Sequence, residues 1–455
     1  MALLFGTSGI RGDVVDKVNA ELALKVGTSL ATFLGGRGNV VVGYDIRTSS
    51  QMLENAAVSG LLAGGCDAVR IGAVPTPVLA FTTREISARA GIMITGSHNP
   101  PADNGLKCYD EQGMEYLPGE EEALEGLILD DAYKLVTWDK LGEVREVFDA
   151  VDRYIEAAMR VLKPVSRRLT VILDCSNGVG SYVTPHLLSK MGCRVVTMNA
   201  QLDGFFPGRP SEPTPENLGA LARSVREAGA DIGIAHDGDA DRFSVVDEKG
   251  RYIGDDRVLA LFAKKLVEDN RGGLVIASID TSNCVEEVVV KAGGRLERAP
   301  LGKIHVALRD RQAVMACEPW KIINPAWGLW GDGCYSACLL AEMLAEQGGT
   351  VRELFSKIPD YPKMQASIDC PDELKKPVIL RISETLSKER NVLDVWTFDG
   401  IRINYRDGSW LLIRASGTEP VVRVYAEGKT VKQAKELVNK GVKIVRGAIN
   451  ERGAS

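Results

Sequence analysis

The chain has 455 residues, 45% of them hydrophobic and 25% charged, with a net charge of −6. Its length exceeds one ordinary core and implies about three or four domains, while the acidic balance excludes a nucleic-acid partner held by general electrostatics, so an anionic substrate has to be met by local basic groups. Residues 1–6 are too short an apolar run for a signal peptide and lack a basic flank, and no segment reaches the roughly 18 uninterrupted apolar residues of a membrane span.

In chain order, apolar runs and helical patterns alternate. Strands are expected over 39–43, 68–72 and 91–95, with helices over 50–64 and 77–89 between them. After an acidic stretch around 118–150 the rhythm returns as strands over 169–174, 193–198 and 231–235 and helices over 179–191 and 215–227. It returns again with strands over 273–278 and 295–299 and helices over 282–292 and 303–311. Beyond Ile358-Pro359-Asp360 short strands crowd together over 392–396, 400–405, 410–414 and 421–427, and a charged helix over 431–446 closes the chain. The expected fold is α/β: three related βαβ-type domains with mixed, mostly parallel sheets, plus a C-terminal α+β domain. The domains are placed at 1–150, 151–254, 255–365 and 366–455. The nine cysteines stand singly without a CxxC pair, which fits thiols in a reducing cytoplasm and disfavours zinc.

Three loops carry chemistry. The apolar run ending at Ile94 enters Thr95-Gly96-Ser97-His98-Asn99-Pro100, a turn that holds a hydroxyl beside an imidazole; alone, a Ser-His pair is equally read as a solvated turn. Asp237, Asp239 and Asp241 alternate along one loop, so three carboxylates can converge on a cation such as Mg²⁺. A calcium EF-hand is the rival, with Glu248 at its twelfth position, but Arg242 stands where that loop needs Gly and both flanks read as strands. A merely solvated acidic turn is the other alternative. Arg414, Ser416, Gly417 and Thr418 follow a strand, with Arg423 on the next, and combine a guanidinium fork, hydroxyls and flexible amides as a phosphate site would; a plain hairpin turn is the alternative. Residues 7–12 (Thr-Ser-Gly-Ile-Arg-Gly) have similar chemistry. Asn177-Gly178-Val179-Gly180 lacks the third glycine of a dinucleotide turn and is read as a helix start. Together the loops supply a nucleophile, a hard-metal cage and an anion cradle, the parts for phosphoryl transfer.

These motifs, in this order and at these separations, resemble the α-D-phosphohexomutase superfamily over essentially the whole chain. The resemblance implies four domains around a central cleft, each contributing one loop, and Ser97 as the phosphoserine. It implies Asp237, Asp239 and Asp241 holding Mg²⁺ together with a phosphoserine oxygen, Arg242 beside them, and Arg11 and Lys107 flanking the reacting phosphate. Lys107 and His98 are its candidates for proton transfer. Gly302 and Lys303 match the third-domain ligand turn, and the Arg414, Ser416, Gly417, Thr418 loop, with Arg423, matches the one that grips the phosphate not being transferred. Where many members carry Gly-Glu-x-Ser-Gly-His, this chain has Cys317-Glu318-Pro319-Trp320-Lys321. Glu318 is retained as a hydroxyl-binding carboxylate and Trp320 replaces a small Ser, a form similar to archaeal members assigned as phosphoglucosamine mutases.

The expected activity is Mg²⁺-dependent interconversion of glucosamine 6-phosphate and glucosamine 1-phosphate through a phosphoserine and a bisphosphate, with a sugar 1,6-bisphosphate as activator. Glucose or mannose phosphate is the alternative substrate. A non-catalytic sugar-phosphate binder and a phosphatase are competing classes; the first would not need Ser97 with a metal cage, and the second would need easy water access to it. Expected partners are small sugar phosphates, with neither nucleic acid nor membrane. The expected location is cytoplasmic, and the oligomeric state is left open, a homodimer included.

Overall fold

The structure, a computed structural model, describes residues 4–6, 8–386, 391–417 and 419–453. Two compact units emerge: Met1–Val258 with Val314–Ala316 and Trp320–Lys357, and Leu259–Ala313 with Cys317–Pro319 and Ile358–Ser455. Thr7 and Thr418 lie outside the described residues.

The first unit opens with β1 (Ile10–Asp13), α1 (Ala20–Phe33), β2 (Asn39–Tyr44), α2 (Ser50–Ala63), β3 (Asp67–Ala73), α3 (Thr76–Glu85), β4 (Ala90–Ile94), β5 (Asp103–Asp110), α4 (Pro118–Leu129) and β6 (Val144–Glu146). Their sheet runs β1-β5-β4-β2-β3-β6. Strands β4, β2, β3 and β6 are mutually parallel, and β5 is antiparallel to both β4 and β1. Val40, Val41 and Val42 are wholly buried, the continuous apolar run of a strand covered on both faces. After α5 (Ala150–Val161), a second sheet forms from β7 (Thr170–Asp174), α6 (Thr184–Lys190), β8 (Arg194–Met198), α7 (Gly219–Ala228), β9 (Ile232–His236), β10 (Phe243–Val246) and β11 (Tyr252–Ile253), in the order β11-β10-β9-β7-β8. Here too the central strands are parallel, β7 with β8 and β9, while β10 returns antiparallel.

Beyond α8 (Asp255–Asp269), β12 (Gly273–Ser278), α9 (Asn283–Lys291) and β13 (Gly294–Ala299) form a βαβ unit with parallel strands, followed by α10 (Ile304–Arg309) and β14 (Ala313–Glu318). The chain then supplies β15 (Lys321–Ile323), α11 (Gly333–Gln347) and α12 (Val351–Leu354) to the first unit. In the second unit β16 (Lys363–Asp369), α13 (Asp372–Leu386), β17 (Val392–Trp396), β18 (Ile401–Tyr405), β19 (Trp410–Ala415), β20 (Val421–Glu427) and α14 (Val431–Gly453) make an antiparallel sheet, order β16-β20-β19-β18-β17, with a core under α13 and α14. The α/β class and the α+β ending are therefore as expected.

The details differ in places. Helix 179–191 is broken into a 3₁₀ turn, Val179–Tyr182, and α6, because Pro185 cannot donate to the preceding turn and starts a new helix. Helix 215–227 likewise begins as a 3₁₀ turn at Pro215–Leu218. The boundary placed at 365 falls inside β16, whose whole length pairs with β20, so the C-terminal sheet begins by Lys363. Strands β1, β5, β6, β11, β14, β15 and β16 and helices α1, α4, α5, α8, α11, α12 and α13 are additions to the expected elements. Among the described residues no helix is long and apolar enough to cross a membrane, and all nine cysteines are buried free thiols.

Helices α1 and α2 meet at Gly60. A Cβ there would lie 2.2 Å from the Leu24 carbonyl oxygen and 2.7 Å from the Thr28 amide, so the helices approach to backbone contact. Gly60→Ala should therefore cost about 1–3 kcal/mol by forcing them apart. Gly126→Ala, in α4 with nothing within 4 Å of the added methyl, should stabilise by about 0.5–1 kcal/mol. Opposite shifts in thermal midpoint are the expected result.

Candidate active site

The serine loop leaves β4 and is gripped from within the first unit. Ser97 takes the left-handed backbone conformation, φ 50°, uncommon for a non-glycine residue. One buried guanidinium imposes that turn: Arg47 donates to the carbonyls of Ser97 (2.9 Å), Asn99 (2.7 Å), Asp103 (2.8 Å) and Pro100. Its Nε donates to Asp45 at 3.1 Å. Asp45 also accepts the Thr95 hydroxyl at 2.7 Å, and Thr95 Oγ1 in turn accepts the Ser97 amide at 2.7 Å. Neither Asp45 nor Arg47 is a residue that the sequence analysis singled out.

The aspartate loop joins β9 to β10. Each of Asp237, Asp239 and Asp241 offers a carboxylate oxygen, all within 4.8 Å of one another and all buried. His236 clamps the loop across its base: Nδ1 lies 2.9 Å from the Arg242 carbonyl and Nε2 2.9 Å from the Thr184 hydroxyl. Burial pushes that imidazole's pKa down to about 4, so the ring is neutral, donating to the carbonyl and accepting from the hydroxyl. Gly238 lets the two reactive loops touch, since a Cβ there would meet the Ser97 carbonyl at 2.9 Å. Ser211 ties the same point, accepting the Gly238 amide at 2.9 Å and donating to the Ser97 carbonyl at 3.1 Å. The Asn177–Gly180 turn, read as a helix start, also packs here, with the Val179 amide 3.3 Å from the Gly238 carbonyl.

Lys107, on β5 and 1% exposed, places its ammonium 3.0 Å from Asp239 Oδ2 and 3.3 Å from Asp241 Oδ2. Thr76, at the start of α3, donates its hydroxyl to Asp239 Oδ2 at 2.6 Å. Burial would raise Asp239 and Asp241, but cationic neighbours prevail: Lys107, with the Thr76 hydroxyl, brings Asp239 below the usual carboxylate range, and Lys107, Lys321, Arg242 and Arg11 do so for Asp241. Burial, then the charges of Asp239 and Asp241, pushes Asp237 up. Ser97 Oγ donates to Asp237 Oδ2 at 3.0 Å.

Asp239 Oδ1 and Asp241 Oδ1 are buried without a hydrogen-bond partner among the described residues. Such oxygens are costly unless something binds them. With a third carboxylate and a serine oxygen beside them, they fit a small hard cation.

The other first-unit candidates gather nearby. His98 Nδ1 is 3.4 Å from Ser97 Oγ, and burial, then the Arg242 and Arg11 charges, keeps the imidazole well below its ordinary pKa. Arg242 pairs with Glu212 at 3.6 Å and reaches to 3.9 Å from Asp241 Oδ1. Arg11 sits on β1 opposite Gly105, its Nε buried without a partner among the described residues. Trp320, φ 64°, donates its indole N–H to the Tyr252 hydroxyl at 2.9 Å. Lys321, grouped by resemblance with sugar binding, instead touches Asp241 and Glu115.

The remaining candidates lie in the second unit. Gly302, φ 76°, donates its amide to Glu318 Oε2 at 2.8 Å, beside Lys303 at the start of α10. Arg414 and Arg423 stand opposite each other on β19 and β20; Arg423 pairs with Glu419. Ser416 Oγ accepts the Glu419 amide at 3.2 Å, Gly417 is exposed, and Thr418 lies outside the described residues. Sequence reasoning missed two supports. Lys375 donates to the Ser416 carbonyl at 2.8 Å. Asp399 accepts the Leu301 amide at 2.9 Å and pairs with Arg414 Nε at 3.2 Å, joining the Gly302 turn to the Arg414 loop.

If Arg47 fixes the serine loop, Arg47→Met should leave Asp45 buried beside no counter-charge and destabilise the fold by about 3–5 kcal/mol in denaturant titration. Arg47→Lys, which keeps the charge but not the fork, should fold and still lose most activity.

Similarity to known proteins extends over nearly the whole chain. The chain matches the phosphoglucomutase/phosphomannomutase alpha/beta/alpha domains I, II and III over residues 2–134, 152–250 and 254–361, and the C-terminal domain over 372–443. It is 44% identical over 450 residues to a "Phosphopentomutase" of Thermococcus kodakarensis, covering 98% of this chain and 99% of that one. A "Probable phosphoglucosamine mutase" of Methanothermobacter thermautotrophicus is 43% identical over 440 residues, covering 95% and 96%. A phosphoglucomutase/phosphomannomutase family protein from Burkholderia thailandensis superimposes with a TM-score of 0.87 at 28% identity, covering 98% of each chain. The N-acetylphosphoglucosamine mutase of Aspergillus fumigatus, in complex with GlcNAc-6P and magnesium, shares the fold at a TM-score of 0.60 and 16% identity, covering 99% and 96%. With all four domains in order, the chain belongs to the phosphoglucomutase/phosphomannomutase family and is an enzyme, a phosphomutase.

Proposed function

We propose that the protein interconverts glucosamine 6-phosphate and glucosamine 1-phosphate in the cytoplasm, with Ser97 as the phosphoryl carrier. One observation carries the reading: Ser97 Oγ stands 3.0 Å from Asp237 in a buried trio of aspartates, two of whose oxygens have no hydrogen-bond partner among the described residues. Asp237, Asp239 and Asp241 would hold Mg²⁺ together with an oxygen of phospho-Ser97. Bound there, the ion would offset negative charge developing on the phosphoryl group.

The chain's own residues do the rest. The phosphoryl group leaves Ser97 Oγ for a sugar hydroxyl oxygen, and the hydroxyl proton passes to neutral His98. Lys107, paired with two carboxylates, steadies the phosphate with Arg11 and Arg242. The sugar bisphosphate then turns over and returns its other phosphoryl group to Ser97, a sugar 1,6-bisphosphate priming the cycle. Arg414, Ser416, Gly417, Thr418 and Arg423 grip the phosphate not in transfer, while Gly302, Lys303, Glu318 and Trp320 meet the sugar. Relatives named as phosphoglucosamine mutases support the amino sugar.

A pentose phosphate is the second reading. It is favoured by the relative named "Phosphopentomutase", 44% identical over 450 residues.

Turnover of the 1-phosphates of glucosamine, glucose, mannose and ribose should be highest kcat/KM for glucosamine; a preference for ribose would replace the substrate assignment and keep the mutase. Ser97→Ala should retain binding of the sugar phosphate while losing several orders of magnitude in rate. The phosphate delivered by a sugar 1,6-bisphosphate should map to Ser97 by mass spectrometry. Asp239→Asn, or excess EDTA, should lower kcat by at least roughly 10²–10³-fold.

A further inference from the structure

Lys321 pairs with carboxylates on either side. It follows Trp320, whose left-handed backbone turns the chain at the head of β15, and its ammonium lies 3.0 Å from Glu115 Oε1 and 3.3 Å from Asp241 Oδ2. The three side chains are 9%, 13% and 3% exposed. Glu115 is oriented in turn, its other oxygen accepting the Ser8 hydroxyl at 2.7 Å. Lys107 reaches the same Asp241 oxygen at 3.3 Å, so Oδ2 sits between two ammoniums while Oδ1 has no hydrogen-bond partner among the described residues.

An ammonium this close to a ligand carboxylate does two things. It offsets the mutual repulsion of three buried carboxylates, and it competes electrostatically with any cation that approaches them. Lys107 is shared between Asp239 and Asp241 and Arg242 stands farther off, 3.9 Å from Asp241 Oδ1, so Lys321 adds a second ammonium at close range.

We propose that Lys321 is a built-in counter-cation of the aspartate loop, a positioning residue that acts through Asp241 and holds the affinity for Mg²⁺ down. The inference rests on reading Asp237, Asp239 and Asp241 as a Mg²⁺ site, and extends it to a residue of the sugar-recognition loop. Glu115 divides the ammonium's attention, so the Lys321–Glu115 pair sets how strongly Asp241 is neutralised.

Calorimetric titration with Mg²⁺ alone, on the full-length protein, tests this without turnover. Lys321→Met should bind Mg²⁺ about tenfold more tightly than wild type, the scale on which one opposite charge shifts a nearby carboxylate. Lys321→Arg, which keeps the charge, should stay close to wild type. Because Lys321→Met removes the ammonium that pairs with Glu115, the comparison is repeated in a Glu115→Gln background, where Lys321→Met/Glu115→Gln should bind more tightly than Glu115→Gln. Equal or weaker binding by the Met variants, or Lys321→Arg binding as tightly as Lys321→Met, overturns the inference and leaves the metal assignment standing. Absence of Mg²⁺ binding by wild type overturns both.

Discussion

Three carboxylates held within 4.8 Å of one another and out of water are the constraint around which the first unit is organised. Their repulsion in a medium of low polarity would open the loop unless compensated. Compensation arrives from several directions: the Lys107 ammonium from β5, the Thr76 hydroxyl from the start of α3, the Arg242 guanidinium from the loop itself and Lys321 from β15. That demand explains why β5, whose sequence is half polar, is a buried strand. Its lysine is tolerated inside because its charge is met there, and the strand antiparallel to β4 delivers it beside the serine loop.

A second layer keeps this cluster in place. At the head of α11, Asp332 accepts hydrogen bonds from the Tyr154 hydroxyl, the Trp327 and Trp330 indoles and the Tyr335 amide. It thereby fixes a helix end whose Gly333 amide bonds the Ala240 carbonyl at 3.2 Å. The aspartate loop is thus held at its base by His236, at its crest by α11 and at its contact with the serine loop by Ser211.

How much of this the sequence discloses follows from what is local. Ser97, Asp237, Asp239 and Asp241 are chemistry-bearing residues in short turns between apolar runs, and Arg414 stands near the end of the apolar strand β19; that contrast is visible along the chain. Strand β5 is not, because Asp103-Asn104-Gly105 reads as a turn and Lys107 interrupts the apolar pattern. Helix α11 is apolar on nearly every side, buried from Gly333 to Ala345, so it has no amphipathic period to detect. Arg47, Ser211, Glu115 and Asp399 act on partners 53, 114, 206 and 98 positions away, and nothing in their neighbours' identities announces those contacts. Lys321 adds to this: a motif position suggested the sugar, and its ammonium also lies 3.3 Å from Asp241 Oδ2, a pairing 80 positions away that the motif does not announce.

The grip of Arg47 on the serine loop has a dynamic consequence. Four carbonyls converge on one guanidinium that is itself anchored to Asp45, so the loop cannot fray one peptide at a time. Detaching any part strands a buried ion pair, and opening becomes nearly as expensive as unfolding the surrounding domain. The hydrogen-bonded amides of Thr95, Ser97, Asn99 and Asp103 should then exchange with solvent hydrogen at the slow rate of the β4 core rather than at the rate of a surface turn. A phosphoryl group on Ser97, as proposed above, would be shielded by the cooperativity of the whole domain, and its survival between turnovers would become a property of folding.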